Sequence, residues 1–409
     1  MAKPWDVAII GGGAAGLAAA IAAARAGASA VIADRMPRLG KKILATGGGR
    51  SNLSHEPLSP AVFTSTSSPF VSSILGQFGA DEIREFFRGL GLELSVEDGR
   101  VYPVTNQASS VLKVLELEVR RLGIGVELGF EAVSLDYVRS SFVLAARDGR
   151  RIEARVGLLA SGGKSYPALG SDGSGYALAQ RFGHRLVLPV PSAVPLLVKD
   201  RMCQVLQGQK ILARAEARID GKRAAEAEGE LLFTASGLSG TVVLDISEPI
   251  SIALNRDGKK NVEISADLVP FLSEEELTAK LAGRRNEGWA QEELLTGILP
   301  DKFGPLLSGF YRSAGARPGR TAPSLAAALK DKRFAVLGTR GWNEAEFTAG
   351  GIDAREFDPR TTESKLRAGL FLAGEILDVQ GPRGGFNLAW AWASGIVAGR
   401  SAAAESRRG

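Results

Sequence analysis

Gly11, Gly13 and Gly16 in "IIGGGAAGLAAA" stand between an apolar run and an alanine-rich one, at the spacing G-x-G-x-x-G. A strand that ends in such a turn and opens a helix brings bare amides and the positive helix end up to a pyrophosphate. Asp34 closes the next apolar run, 18 residues after Gly16, where a carboxylate accepts hydrogen bonds from a ribose hydroxyl. A second glycine cluster follows in "GKKILATGGGRSNLSH", residues 40 to 55, with Lys41, Lys42 and Arg50 close to three consecutive glycines. Two such loops suit one extended anionic ligand, the second laying further amides and a cation along it. A glycine-rich turn with solvated bases is the plainer reading of that second cluster. Gly163-Lys164-Ser165 has the ending of a P-loop, but Leu158 stands where that loop needs its first glycine.

Other reactive side chains are sparse. Cys203 is the sole cysteine, which excludes an intrachain disulfide and every CxxC pattern, and with only His55 and His184 no metal site is expected. His184 follows an apparent helix in "RFGHRL", the place of a C-terminal cap. A nicotinamide dehydrogenase commonly adds a histidine as acid or base, whereas a flavin carries its own redox chemistry. The histidine placement therefore favours FAD as the resident dinucleotide. Trp390 and Trp392 suit a flavin wall and a buried helix equally well.

The elements that must position these residues are legible in the periodicity. "WDVAII" reads as a buried strand, "AAGLAAAIAAARAG" as a helix closed by Gly27, and "SAVIAD" as a second strand, a βαβ opening. "GADEIREFFRGLGL" and "SSVLKVLELEVRRLG" have helical spacing, "LSVEDGRVYPV" reads as a hairpin around Asp98-Gly99, and residues 125–163 alternate through three or four strands. Between Pro189 and Pro195 the texture changes to proline-punctuated strands: "AVPLLV", "ILARAEARID", "EGELLFTAS", "TVVLDI" and "NVEISADLV". Helical segments dominate from Ser273 to Lys332: "SEEELTAKLAG" behind a Ser273/Glu276 capping box, "AQEELLTGIL", "KFGPLLSGFYRSAG" and "SLAAALKD". The last eighty residues return to the opening style. The expected α/β organisation is a nucleotide domain built from 1–188 and 335–409, interrupted by a β-rich insert, 189–268, and a helical one, 269–334.

A chain of 409 residues, 45% hydrophobic and 23% charged, is an ordinary multidomain globular protein. The 50 basic and 45 acidic residues are interspersed, so the net +5 suits an anionic ligand and lacks the basic stripe of a nucleic-acid binder. Val7 to Ala24 carries no charge, but Gly11, Gly12, Gly13 and Gly16 would weaken a membrane helix or signal core, and strand-turn-helix is the better reading. No membrane association and a cytoplasmic location are expected.

Over almost its full length the chain resembles the bacterial HI0933/BaiN-like family of FAD-dependent oxidoreductases. "VAIIGGGAAGLAAA", "LGKKILATGGGRSNLSH", "ASGGKSYPALGSDGSGYALAQRFGH" and "FTAGGIDAREFDPRTTESKLRAGLFLAGEILDVQGPRGGFNLAWAWASG" carry the resemblance. It implies a glutathione-reductase-like FAD-binding Rossmann domain with an inserted β-barrel and a helical subdomain. It also implies FAD contacts at Gly11, Gly13, Ala15, Gly16, Asp34, Arg35, Lys42, Thr46, Gly48, Arg50, Asn52, Val133 and Gly162, and in the C-terminal part at Gly374, Glu375, Asp378, Gly384, Gly385 and Asn387. A helix starting near Asn387 would aim its N-terminus at the flavin. Many relatives read Gly-Arg-Cys-Asn where this chain has Gly49-Arg50-Ser51-Asn52, so cysteine chemistry at that point is unavailable to it.

The expected activity is hydride transfer through flavin N5, with NAD(P)H as transient reductant and a small organic substrate between the nucleotide domain and the insert. Arg50, Tyr102 and Tyr166 are the candidates for proton delivery. Relatives of the BaiN type are associated with reducing conjugated carbon–carbon double bonds in steroid-like acids. A second reading is a flavoprotein whose FAD is structural or sensory, the insert serving as an RNA- or protein-binding surface; an isoelectric point near 9.3 keeps it open.

Overall fold

The computed structural model describes residues 4–306 and 324–408 of the 409. Two compact units result, Met1–Pro189 with Phe347–Gly409, and Val190–Glu346.

The first unit opens with β1 (Trp5–Ile10), α1 (Ala14–Arg25) and β2 (Ala30–Asp34), β1 lying parallel to β2. Every residue of α1 from Ala15 to Ala23 is buried, and its alanines let neighbouring elements approach closely. Next come β3 (Ser54–His55), β4 (Thr64–Ser65), α2 (Ser68–Gln77) and α3 (Ala80–Arg88). β5 (Leu94–Glu97) and β6 (Arg100–Pro103) form the hairpin, with Asp98 at φ 50° and Gly99 at φ 76° as a type I′ turn needs. After α4 (Ala108–Arg121), β7 (Gly125–Leu128), β8 (Ala132–Val138), β9 (Ser141–Ala146) and β10 (Arg151–Leu159) complete one sheet in the order β7-β2-β1-β10-β9-β8. The strand Leu370–Leu372 adds parallel to the far half of β10. α5 (Ser174–Gln180) and β11 (Leu186–Ser192) lead out of the unit.

The second unit contains β12 (Leu196–Val198), α6 (Arg201–Val205), β13 (Lys210–Ile219), β14 (Lys222–Thr234), β15 (Gly237–Ser239), α7 (Thr241–Asn255), β16 (Val262–Asp267), α8 (Glu274–Asn286), a short helix Leu325–Lys330, and β17 (Lys332–Thr339). Its strands close into a barrel in the order β12-β15-β14-β13-β16-β17. That barrel agrees with the expected fold class. Ile211, Ala213, Ala215 and Ala217 of β13 face the core while Lys210, Leu212 and Arg214 face out, the period-2 pattern of a half-buried strand.

Several expected elements differ. "TVVLDI" is the first part of α7, not a strand: Val242, Val243, Ile246 and Ile250 form a buried helical stripe with Thr241 and Asp245 exposed, a period that six residues rich in β-branched side chains are too few to display. "AQEELLTGIL" makes only a 3-10 turn at Gln291–Glu293, because Gly297 goes left-handed at φ 73° and leaves too few residues to nucleate a helix. Of "KFGPLLSGFYRSAG", Asp301–Leu306 is a 3-10 turn with Pro305 inside, and the remainder lies outside the described residues. The Ser273/Glu276 capping box is present, Ser273 Oγ accepting from the Glu276 amide at 3.1 Å. Leu277 and Leu281 of α8 share one apolar cluster with the barrel residues Phe233, Ile264 and Phe334.

Candidate dinucleotide site

Register fixes which groups meet. Ile10 pairs with Leu159 and with Ala33, and Leu159 pairs with Leu372, so β1, β2, β10 and Leu370–Leu372 end at one edge of the sheet. Gly11, Asp34, Gly162 and Gly374 therefore leave the parallel strands side by side at their carboxyl ends, the position in which open α/β sheets hold ligands. Gly40 joins them through its amide, which donates to the Gly12 carbonyl at 2.8 Å.

The glycines separate by what a methyl group would meet. At Gly16 it would stand 1.8 Å from the Gly11 carbonyl oxygen, and at Gly11, with φ 105°, 2.5 Å from that of Ala160. Those two are demanded by protein packing. At Gly13 a methyl would meet nothing within 4 Å, and with φ −82° the backbone does not require glycine either. Gly48 and Gly49 also open onto empty space, at φ 63° and 91°. Gly13 is the N-cap of α1, with no side-chain cap and no acidic residue in the first turn, so the first amides of that helix are left for an anion.

A second helix N-terminus points the same way. The last helix, Phe386–Glu405, packs on α1 backbone to backbone: a methyl at Gly395 would stand 2.4 Å from the Ala15 carbonyl oxygen, and one at Gly399 2.1 Å from that of Ala19. This register makes the two helices parallel. The last helix begins nine residues before Gly395 and α1 one before Ala15, so its N-terminus leads by about 12 Å at 1.5 Å per residue. Its N-cap is Gly385 at φ 103°, again without a side-chain cap. Asn387 pins the approach by accepting from the Gly381 amide at 2.9 Å and donating to the Gly381 carbonyl at 2.8 Å. The Asn52 carboxamide oxygen, buried and without a partner, lies 2.5 Å from where a methyl at Gly385 would stand.

Lys42 and Glu375 meet in an ion pair at 2.8 Å. Lys42 also donates to Ser165 Oγ at 2.7 Å, and Glu375 accepts from the amides of Thr348 at 2.8 Å and Gly163 at 3.4 Å. Burial alone would raise the Glu375 carboxyl; the Lys42 ammonium and the two amides overrule it and hold the group below its usual range. Asp34 behaves oppositely: burial pushes it up, although its oxygens accept from the amides of Gly12 at 2.5 Å and Met36 at 2.7 Å. Arg35 pairs with Asp172. Thr46 Oγ1 donates to the Ile43 carbonyl at 2.6 Å and lies 3.2 Å from Ser51 Oγ, whose fully buried residue adopts φ 59°. Val133 is exposed at an irregularity in β8, Asp378 is buried, and Gly384 accepts from or faces His55 Nδ1 at 3.1 Å.

Of the proton-delivery candidates, Arg50 and Tyr102 are brought together, the guanidinium carbon 4.2 Å from the ring centre. Arg50 donates to Glu97 at 2.8 Å and to the Asn106 carboxamide at 2.7 and 2.9 Å. Tyr166 stands on a different loop, left-handed at φ 52°. Both tryptophans are core: Trp390 Nε1 donates to the Gly374 carbonyl at 3.2 Å and Trp392 Nε1 to that of Leu53 at 3.1 Å, so each holds a site loop from beneath. His184 is no cap; its buried ring bridges Glu356 and Ser364, each at 2.8 Å.

An extended dinucleotide fits these residues on three observations: the empty space at Gly13, the two parallel uncapped helix ends, and the orphaned Asn52 oxygen. Ser165, Thr348, Glu97 and Asn106 escaped sequence reasoning. Only Ser165 carried a signal, its place after Gly162-Gly163. Among the described residues no cluster could hold a metal ion, and no helix is long and apolar enough to cross a membrane.

Comparison with known proteins extends this picture. The profile of the HI0933-like protein Rossmann domain matches residues 5–401. A 3-dehydro-bile acid delta(4,6)-reductase of Clostridium scindens is 38% identical over 407 residues, 97% of this chain and 98% of that protein. A ribosomal RNA dihydrouridine synthase of Escherichia coli K12 is 29% identical, covering 95% and 96%. Among solved structures, 3-ketosteroid-delta4-(5alpha)-dehydrogenase of Rhodococcus jostii RHA1, in complex with 4-androstene-3,17-dione, shares the fold with a TM-score of 0.52 at 17% identity, covering 98% and 97%.

Proposed function

The chain belongs to the HI0933-like family, and on that premise we propose that it is an FAD-dependent oxidoreductase that reduces a carbon–carbon double bond conjugated to a carbonyl. The open space at Gly13, above an uncapped helix N-terminus, carries the cofactor reading. The relatives' names supply the substrate class. A delta(4,6)-reductase acting on a 3-dehydro steroid acid and a synthase of dihydrouridine both saturate a double bond conjugated to a carbonyl.

Bound here, FAD would supply the hydride chemistry for the β-carbon, with NAD(P)H as the reductant. The residues of this chain do the rest. Amides of the α1 N-terminus would hold the pyrophosphate and Asp34 would accept from a ribose hydroxyl, while the Lys42–Glu375 pair fixes the glycine loop against Gly163. Arg50, held charged by Glu97, polarises the substrate carbonyl oxygen, and the Tyr102 hydroxyl beneath it gives the proton to the α-carbon. Ser51, buried and hydrogen-bonded, takes no part.

The test is anaerobic: the yellow full-length protein is bleached with NADPH or NADH and then mixed with a dienone steroid acid. Return of the flavin colour with a saturated bond in the product supports the proposal; colour indifferent to both nicotinamides sinks it. For the second reading, a structural or sensory FAD on an RNA-binding protein, the relatives named for ribosomal RNA favour the RNA-binding half. It predicts salt-sensitive retention on RNA and no bleaching.

A further inference from the structure

Two buried hydroxyls at the same sheet edge have no use in the chemistry above. Ser161 stands two residues past the end of β10, and its Oγ is buried without a hydrogen-bond partner. Tyr176, on α5, is 5% exposed, and its hydroxyl is likewise buried and unpartnered. An unsatisfied buried hydroxyl costs stability, and two so close, one in the turn after β10 and one in the first turn of α5, form a pattern that packing does not explain.

Their surroundings place them beside the site. The Cα of Ser161 lies 2.9 Å from where a methyl at Gly11 would stand, and its Oγ 1.8 Å from one at Gly175, so it is wedged between the first glycine turn and α5. Tyr176 is the residue after Gly175. The carboxylates of Glu375 and Asp378 lie close enough that, after burial, they add to holding its phenol in the neutral, donating form. Glu375 in turn follows Gly374, where a methyl would stand 2.7 Å from the Ala15 side chain in the first turn of α1.

Electrostatics selects the partner. With the Lys42 ammonium already spent on Glu375, that cation is not left to draw a phosphate, whereas a neutral polyol offers oxygens to the phenol and hydroxyls to the carboxylates. We propose that Tyr176 and Ser161 hydrogen-bond the neutral sugar-alcohol part of the bound dinucleotide, leaving the phosphates to the α1 N-terminus. This deepens the FAD reading and rests on it.

The experiment compares wild type, Tyr176→Phe and Ser161→Ala as full-length chains, reading FAD dissociation constants by flavin fluorescence and melting temperatures with and without FAD. Each variant is expected to weaken FAD about tenfold, as loss of one hydrogen bond of about 1.4 kcal/mol implies. Tyr176→Phe should at the same time melt no lower than wild type when free of FAD, since it removes an unsatisfied group. FAD affinity within twofold of wild type in both variants overturns the proposal and leaves these hydroxyls to internal water. A wild type that binds no FAD overturns the parent reading instead. Variants that lose FAD only in proportion to a lower FAD-free melting temperature also overturn it, by showing a packing role.

Discussion

The two units treat glycine and charge differently. In the barrel unit, Gly237 and Gly240 are forced by the protein itself: a methyl at either would stand 2.0 or 2.2 Å from a carbonyl oxygen of a neighbouring strand. The nucleotide unit has forced glycines too, Gly11 and Gly16, but at the N-cap of α1 it places Gly13, which nothing in the protein demands. Charge divides likewise. Residues 190–346 hold 21 Lys and Arg against 21 Asp and Glu, so the whole net +5 resides in the other unit. The barrel's charges pair along its outer face, as in Arg214–Glu228, Lys210–Glu230 and Arg333–Glu263. The nucleotide unit carries such exposed pairs as well, among them Arg147–Glu131 and Arg181–Asp136, and adds the half-buried Lys42–Glu375 pair at its sheet edge. The neutral barrel also offers little to an RNA backbone.

Breaking each unit separately tests that contrast. Phe233→Ala empties the barrel core, where the ring packs edge-on to Phe303 at 5.9 Å; unfolding of that unit should become easier by about 3–5 kcal/mol in urea titration, with FAD per folded chain unchanged. Gly13→Val should do the reverse. Its side chain enters only empty space, so the FAD-free protein keeps its melting temperature, while FAD affinity falls about a hundredfold, ~2.8 kcal/mol. A barrel variant that lost FAD, or a Gly13 variant that melted early, would erase the distinction.

A smaller effect concerns pH. The hydrogen bond from Arg121 holds the Glu118 carboxyl down at about 2, against burial and with help from Arg25. A depressed carboxyl gives its full stabilisation above the ordinary value of 4.5 and loses it as pH falls towards 2. Glu118→Gln should therefore flatten the acid dependence of the nucleotide unit's denaturation midpoint between those values. The smallest effect belongs to Arg214→Ala on the barrel face, where an exposed pair is screened; its midpoint should match wild type within error.

Local periodicity made the Rossmann half legible, because β1, α1 and β2 are each buried in the way their own residues dictate. It failed at α7 in the insert, whose opening Val242, Val243 and Ile246 have the composition of a strand and make too short a run to display the helical stripe they belong to. The glycine loops were legible as bare backbone, but not their fastening. Lys42 reaches a carboxylate 333 residues along the chain, and no spacing announces a pair that only the sheet register brings together. For the same reason the stacking of the Arg50 guanidinium on Tyr102 and its bonds to Glu97 and Asn106 could not be read from the sequence.

The backbone seam between α1 and the last helix has a consequence for assembly. Ala15 and Ala19 meet Gly395 and Gly399 across a stretch of chain that includes the whole barrel unit, so the two helix N-termini are set side by side only once residues from both sides of that insert have come together. A fragment ending before residue 386 would keep the first glycine turn and lack the second helix end and the Asn387-pinned loop before it.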